Sequence, residues 1–202
     1  MELRDALAQR HMVRSFSTEP IAPEALGAVL DAATRSPSAG NSQGLDLVVL
    51  EGPDRTARYW DVTLPASRRA GFRWQGLLRA PVLVVVAADP DRYVARYGEP
   101  DKARPGLGEE RSAWTVPFWH VDAGMAVMAM LLRATDLGLG ALFFGIFEHA
   151  AAVASALGVP EDRELVGTVA LGHPDPNLAA TEGHGRSADR PRRTDQIHHG
   201  TW

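Results

Sequence analysis

The apolar positions of this chain follow two rhythms, and the places where one gives way to the other outline its elements. Residues 2–10 mix charged and aliphatic side chains in the pattern of a short surface helix. Leu26, Val29, Leu30 and Ala33 recur at helical spacing behind Pro23, which suits a first turn. Ser36-Pro37 ends that helix, because the residue before a proline avoids the α region. Four short runs read as strands: "LDLVVLE" at 45–51, "VLVVVAAD" at 82–89, "GALFFGIF" at 140–147 and "ELVGTVALG" at 164–172. Helical stretches are expected at 54–62, 67–79, 117–137 and 148–158, the last closed by Gly158. Residues 98–113, rich in glycine, proline and charge, read as a mobile loop, and 174–202 as an extended polar tail.

Helices and strands are mixed without regular alternation, which favours an α+β fold over a doubly wound sheet. No internal repeat or linker divides the chain, so residues 1–202 read as a single domain. The nearest thing to a dinucleotide fingerprint, "GLGALF" at 138–143, has Phe143 in place of its third glycine and precedes a strand instead of following one.

Composition narrows the function classes. With 45% hydrophobic and 23% charged residues the balance is that of an ordinary globular protein, and a net charge of −4 offers no general attraction to nucleic acid. The absence of cysteine removes disulfide and thiolate chemistry. The longest apolar stretch, between Asp122 and Arg133, falls short of the roughly 20 residues a membrane span needs. The N-terminus has no apolar leader, so the expected setting is cytoplasmic, with no membrane partner.

Three polar clusters stand out. "RHMVRSF" carries Arg10, His11 and Arg14; "SPSAGNSQ" at 36–43 packs hydroxyls, amides and small residues between a helix and a strand; and "DRPRR" carries Arg190, Arg192 and Arg193. Each has a bland reading as a solvated surface. Each also suits a polar anion, since arginine's planar fork matches phosphate and small residues free backbone N–H groups for a ligand. The adjacent pair His198-His199 lacks the spacing of a helical metal site, and no metal is expected.

Taken in order, Arg10-His11-x-x-Arg14-Ser15-Phe16, Pro37-Ser38-x-x-Asn41-x-Gln43, "WHVDAG" leading into the long apolar helix, Gly138-Leu139-Gly140 and the Arg-x-Arg tail resemble the nitroreductase family of flavoenzymes. The resemblance runs from about residue 9 to the C-terminus. It implies a three-layer fold with a central, mainly antiparallel sheet flanked by helices, and a homodimer holding FMN in each of two interface sites. By the same resemblance Arg10, Arg190 and Arg192 contact the FMN phosphate, and His11 and Met12 lie along the phosphate and ribityl chain. Arg14 reaches the pyrimidine edge. Pro37, Ser38, Asn41 and Gln43 line the flavin from the partner subunit, and the backbone of Phe144, Gly145 and Ile146 directs an N–H at N5. Phe118, Trp119 and Phe143 are candidates for the substrate wall, against the simpler expectation that aromatics beside an apolar helix pack in the core.

The implied activity is NAD(P)H-dependent reduction of an electron-poor acceptor, a nitroaromatic or a quinone, by ping-pong turnover with no side-chain acid or base. Reductive dehalogenation, oxygen-dependent flavin breakdown, a non-catalytic flavin-binding dimer and a deazaflavin in place of FMN stay open as alternatives. The chain departs from the family pattern where Met12 replaces a common serine and where Gly44-Leu45 replaces a proline–tryptophan pair. The tail near Thr194 is shortened, and a second lysine at the pyrimidine edge has no counterpart in the sequence.

Overall fold

Strict alternation decides the centre of the sheet. Every residue of β2 (Val82–Ala88) is buried, with Val82, Val84 and Val86 on one face and Leu83 and Val85 on the other. Burying each such valine contributes roughly 1.5–3 kcal/mol. The structure, a computed structural model, describes residues 1–102, 106–182, 191 and 193–201. β1 (Leu45–Glu51) and β4 (Glu164–Gly172) flank β2, and β3 (Gly140–Phe144) pairs with the far side of β4. All three pairings are antiparallel, in the order β1-β2-β4-β3.

Helices cover both faces, as the three-layer expectation required. α2 (Pro23–Thr34) and α6 (Phe118–Asp136) pack together on the face of Val82, Val84 and Val86, with α1 (Leu3–Gln9) laid against α6. The opposite face carries α3 (Pro53–Thr63) and α7 (Ala150–Leu157), which ends at Gly158 in the left-handed region. On α6 the buried stripe is Trp119, Asp122, Ala123, Ala126, Val127, Met130, Leu131 and Ala134; Asp122 is its one charged member. No helix among the described residues is long and apolar enough to cross a membrane.

The structure corrects several boundaries. The third strand stops at Phe144 instead of 147; the chain leaves the sheet at Gly145 and Ile146, and Phe147 turns it with φ 50° into a 3-10 turn at Phe147–His149. The single helix expected at 67–79 is a short α4 (Ala66–Arg69) and a 3-10 turn at Gln75–Arg79. Between them the chain bends so that Gly76 lies against Ser15, where a Cβ would come within 2.6 Å of Ser15 Cα. Two helices were not anticipated, α5 (Pro90–Tyr97) and α8 (Pro176–Glu182), the latter inside the expected tail. Both begin at an Asp-Pro pair. Asp89 Oδ1 accepts from the N–H groups of Asp91 and Arg92, and Asp175 Oδ1 from those of Asn177 and Leu178. Within the expected 98–113 loop, Arg111 reaches back to Asp91 on α5 at 2.8 Å, and just beyond it Trp114 donates to Leu107 O.

Candidate functional site

The residues assigned to the flavin form two groups in the chain. The first lies where residues 10–17 run from the end of α1 between β3 and the 72–79 bend. Val13 N–H donates to Ala141 O, Phe16 N–H to Gly76 O, and Ser17 N–H to His173 O, so this stretch is held from both sides. Gly140 allows the approach on the β3 side, since a Cβ there would lie 2.9 Å from Val13 Cγ1.

Arg10 sits at the C-terminal end of α1, half-buried, and its Nη1 is enclosed by protein with no hydrogen-bond partner among the described residues. A buried guanidinium nitrogen without an acceptor carries a desolvation cost of about 1–3 kcal/mol or more, which an anionic ligand would remove. His11 is exposed, donating from Nδ1 to Gln9 O at 2.9 Å. Met12 packs between the two core clusters, so its substitution for a serine fills the sheet's end with an apolar side chain.

Arg14 lies over the indole of Trp74, its guanidinium 5.4 Å from the ring centre, and Arg73 lies over the same indole at 4.5 Å. The sequence reading assigned no role to Arg73 or Trp74. Both lie in the expected helix at 67–79, and only the bend there brings them beside Arg14. Phe144, Gly145, Ile146 and Phe147 complete this group by lining a cavity of about 200 Å³ with Tyr59, Trp60, Phe72 and Leu77. Trp60 Nε1 is also buried without a partner among the described residues. Phe147 is 82% exposed.

The second group is the 36–44 turn. Gly40, Asn41 and Gln43 all have positive φ, at 61°, 58° and 52°. Gly40 and Gly44 are needed there: a Cβ would come within 2.7 Å of Tyr97 Cε2 at the first and 2.5 Å of Tyr93 Cε2 at the second. The turn is fastened internally by Gln43 N–H donating to Ser38 Oγ and Ser42 Oγ donating to Ala39 O. From below it is fastened by Ala39 N–H donating to Asp122 Oδ2 and by Arg96 Nε donating to Gly40 O. Pro37, Asn41 and Gln43 remain exposed, with Gln43 Nε2 donating to Asn41 Oδ1 at 3.2 Å. A cavity of about 190 Å³ lies beneath, bounded by Pro37, Ser38, Gln43, Tyr93 and Asp122.

These two cavities share no lining residue. A larger groove of about 910 Å³, between Thr18–Ile21, Glu51–Ala57 and Leu78–Val82, is lined by none of the assigned residues among those described. The substrate-wall candidates separate as well. Trp119 is buried in an aromatic cluster with Tyr93 and Trp114 and donates from Nε1 to Glu164 Oε2, so the structure gives it a packing role. Phe143 leans over Gly167, whose Cβ would lie 2.4 Å from its ring. Phe118 stays 41% exposed at the start of α6. Arg190 and Arg192 lie outside the described residues.

Burial, and then the hydrogen bond to Asp122, push the Tyr93 phenol well above the ordinary tyrosine value. Asp91 is held below the usual carboxylate range by the hydrogen bond from Arg111.

Relatives share the overall pattern. An NADH dehydrogenase from Thermus thermophilus is 28% identical over 190 residues, covering 86% of this chain and 87% of its own. An FMN reductase [NAD(P)H] from Bacillus subtilis is 24% identical over 192 residues, covering 95% of this chain and 70% of its own. A structure from Desulfovibrio desulfuricans, described as a nitroreductase in complex with FMN, superposes with a TM-score of 0.68 at 25% identity, covering 100% of this chain and 98% of its own. The family model for the nitroreductase family matches residues 7–173, from the helix that ends at Arg10 to the end of the last strand. That span takes in both fastened groups, and this chain belongs to the nitroreductase family.

Proposed function

We propose that this chain is an FMN-dependent oxidoreductase that takes reducing equivalents from NAD(P)H and delivers them to an electron-poor acceptor of the nitroaromatic or quinone type. The observation that carries the reading is Arg10 Nη1, a buried donor with no partner among the described residues. A phosphomonoester, nearly doubly negative, is the acceptor such a nitrogen calls for, and the residues present fit it.

FMN, when bound, supplies the two-electron redox chemistry and its hydride-accepting atom N5. The chain's part is binding, orientation and field. Arg10 would hold the phosphate, together with the expected tail arginines Arg190 and Arg192. Arg14, braced on Trp74, would set a positive charge at the pyrimidine edge, which favours reduction. The backbone of Gly145 and Ile146, having left the ladder after Phe144, is freed from sheet pairing and can direct an N–H at a flat ligand. No side-chain acid or base is needed, and the exchange of one flat substrate for another on the same face suits a ping-pong sequence.

On this reading the two groups meet across two copies of the chain. Their cavities do not merge within one protomer, while α6 presents Phe118, Val121, Met125 and Met128 to the outside at helical spacing, and α1, packed against α6, leaves Leu3 and Leu7 exposed. We infer a homodimer closed over that stripe, with the 36–44 turn of one protomer meeting the Arg10–Arg14 group of the other. A visible spectrum of the purified protein, followed by anaerobic addition of NADH or NADPH, tests the reading. Flavin absorbance bleached by either nicotinamide and restored by a quinone is expected. Protein that binds no FMN, or whose flavin neither nicotinamide bleaches, would overturn it.

A further inference from the structure

The "WHVDAG" segment contains a buried carboxylate that the proposed chemistry does not use. Asp122 lies inside α6 at 6% exposure, and a charge so placed needs compensating donors. Two groups supply them at a single oxygen. Ala39 N–H donates to Asp122 Oδ2 at 2.8 Å and Tyr93 OH donates to the same atom at 2.7 Å.

Ala39 begins the 3-10 turn whose next residues hold the positive φ values at Gly40, Asn41 and Gln43. Backbone of this kind costs free energy at each non-glycine position and keeps its shape only when its surroundings over-determine it. Tyr93 supports the turn twice, through its hydroxyl on Asp122 and through its ring, which fills the space a Cβ at Gly44 would need.

From this geometry we propose that Asp122 is a positioning residue. It fixes the turn in the one shape that presents Ser38, Asn41 and Gln43 to the flavin, without touching the flavin itself. The inference rests on the flavin reading above. Because Oδ2 alone takes both bonds, an amide oxygen can replace it. Asp122→Asn should therefore retain the turn, whereas Asp122→Ala leaves Ala39 N–H and Tyr93 OH without their acceptor.

The test compares wild type, Asp122→Asn, Asp122→Ala and Tyr93→Phe by FMN titration of the apoprotein and by amide hydrogen exchange. Asp122→Ala is expected to weaken FMN binding by about tenfold or more, from two lost buried hydrogen bonds, and to speed exchange over residues 39–44 above that of the β2 core. Asp122→Asn is expected to restore both towards wild type, with Tyr93→Phe between. Wild-type FMN affinity and exchange in Asp122→Ala would overturn the proposal, as would an asparagine variant no better than alanine. Should Asp122→Ala fail to fold, Tyr93→Phe decides: unchanged affinity and unchanged 39–44 exchange overturn it, and losses in both support it. Wild-type protein that binds no FMN defeats the flavin reading instead, while the exchange comparison still judges whether Asp122 shapes the turn.

Discussion

Gly145 lies directly beneath Phe147: a Cβ on the glycine would come within 2.8 Å of the phenyl Cζ. The same phenylalanine holds φ 50° and is 82% exposed, so it accepts a left-handed backbone without burying its ring. For a non-glycine residue that conformation costs about 1–2 kcal/mol. Strain retained at an exposed aromatic beside the expected N5-facing backbone points to a use for the ring, stacking a flat acceptor. Phe147→Asn, which tolerates the left-handed region, should raise the urea unfolding free energy by about 0.5–1 kcal/mol and lower turnover with aromatic acceptors. Unchanged stability would show that the backbone is not strained there.

Arg10 offers a contrast between ligand affinity and fold stability. Its Nη1 has no partner to lose among the described residues and carries a desolvation cost, so Arg10→Ala should leave the melting temperature of the apoprotein unchanged or raise it. FMN affinity should fall about ten- to hundredfold, the loss of one charge-assisted bond worth about 1.5–3 kcal/mol. Fluorescence titration of the apoprotein reads the affinity and calorimetry the melting temperature. A variant that binds FMN as tightly as wild type would remove Arg10 from the phosphate site.

Val121, Met125 and Met128 share the outer face of α6, and each is more than a third exposed. If that stripe is the seam between two protomers, a charge at its centre is buried unpaired on association. Met125→Glu should shift the protein to a monomer by light scattering and release its flavin, while circular dichroism stays that of a folded chain. A monomeric wild type, or a dimer indifferent to the substitution, would place the interface elsewhere.

How much of this was legible in the sequence depended on the range of the signal. The fully apolar "VLVVVAA" run announced β2 as a strand, and Gly158 marked the end of α7, because both signals are local. α5 and α8 were missed although Asp89-Pro90 and Asp175-Pro176 are sound start signals, since helices of eight and seven residues are too short for a helical period to stand out in the sequence. Trp119 could have been separated from Phe118 by helical spacing: Trp119 lies four and seven positions before Ala123 and Ala126 on the buried stripe, whereas Phe118 lies three and seven positions before the exposed Val121 and Met125. Arg73 was out of reach. Its meeting with Arg14 on Trp74 depends on a bend that brings residues some 60 positions apart against one ring.

Two buried phenols make the fold sensitive to alkali. Tyr59 and Tyr93 are each 1% exposed; burial pushes both phenols above the ordinary value of 10.0, and Asp122 pushes Tyr93 further. The folded pKa lies above the unfolded one, so the contribution to stability is complete below pH 10 and declines as the pH rises through 10 towards the folded values, where only the unfolded chain releases the proton. The urea midpoint should therefore be flat through the neutral range and fall above about pH 10, the unfolded tyrosine value. Tyr59→Phe keeps the ring and forfeits the bond that the phenol oxygen accepts from Thr168 Oγ1, so it should lower the midpoint at neutral pH yet flatten the alkaline slope. A slope unchanged in that variant would assign the alkaline loss to other groups.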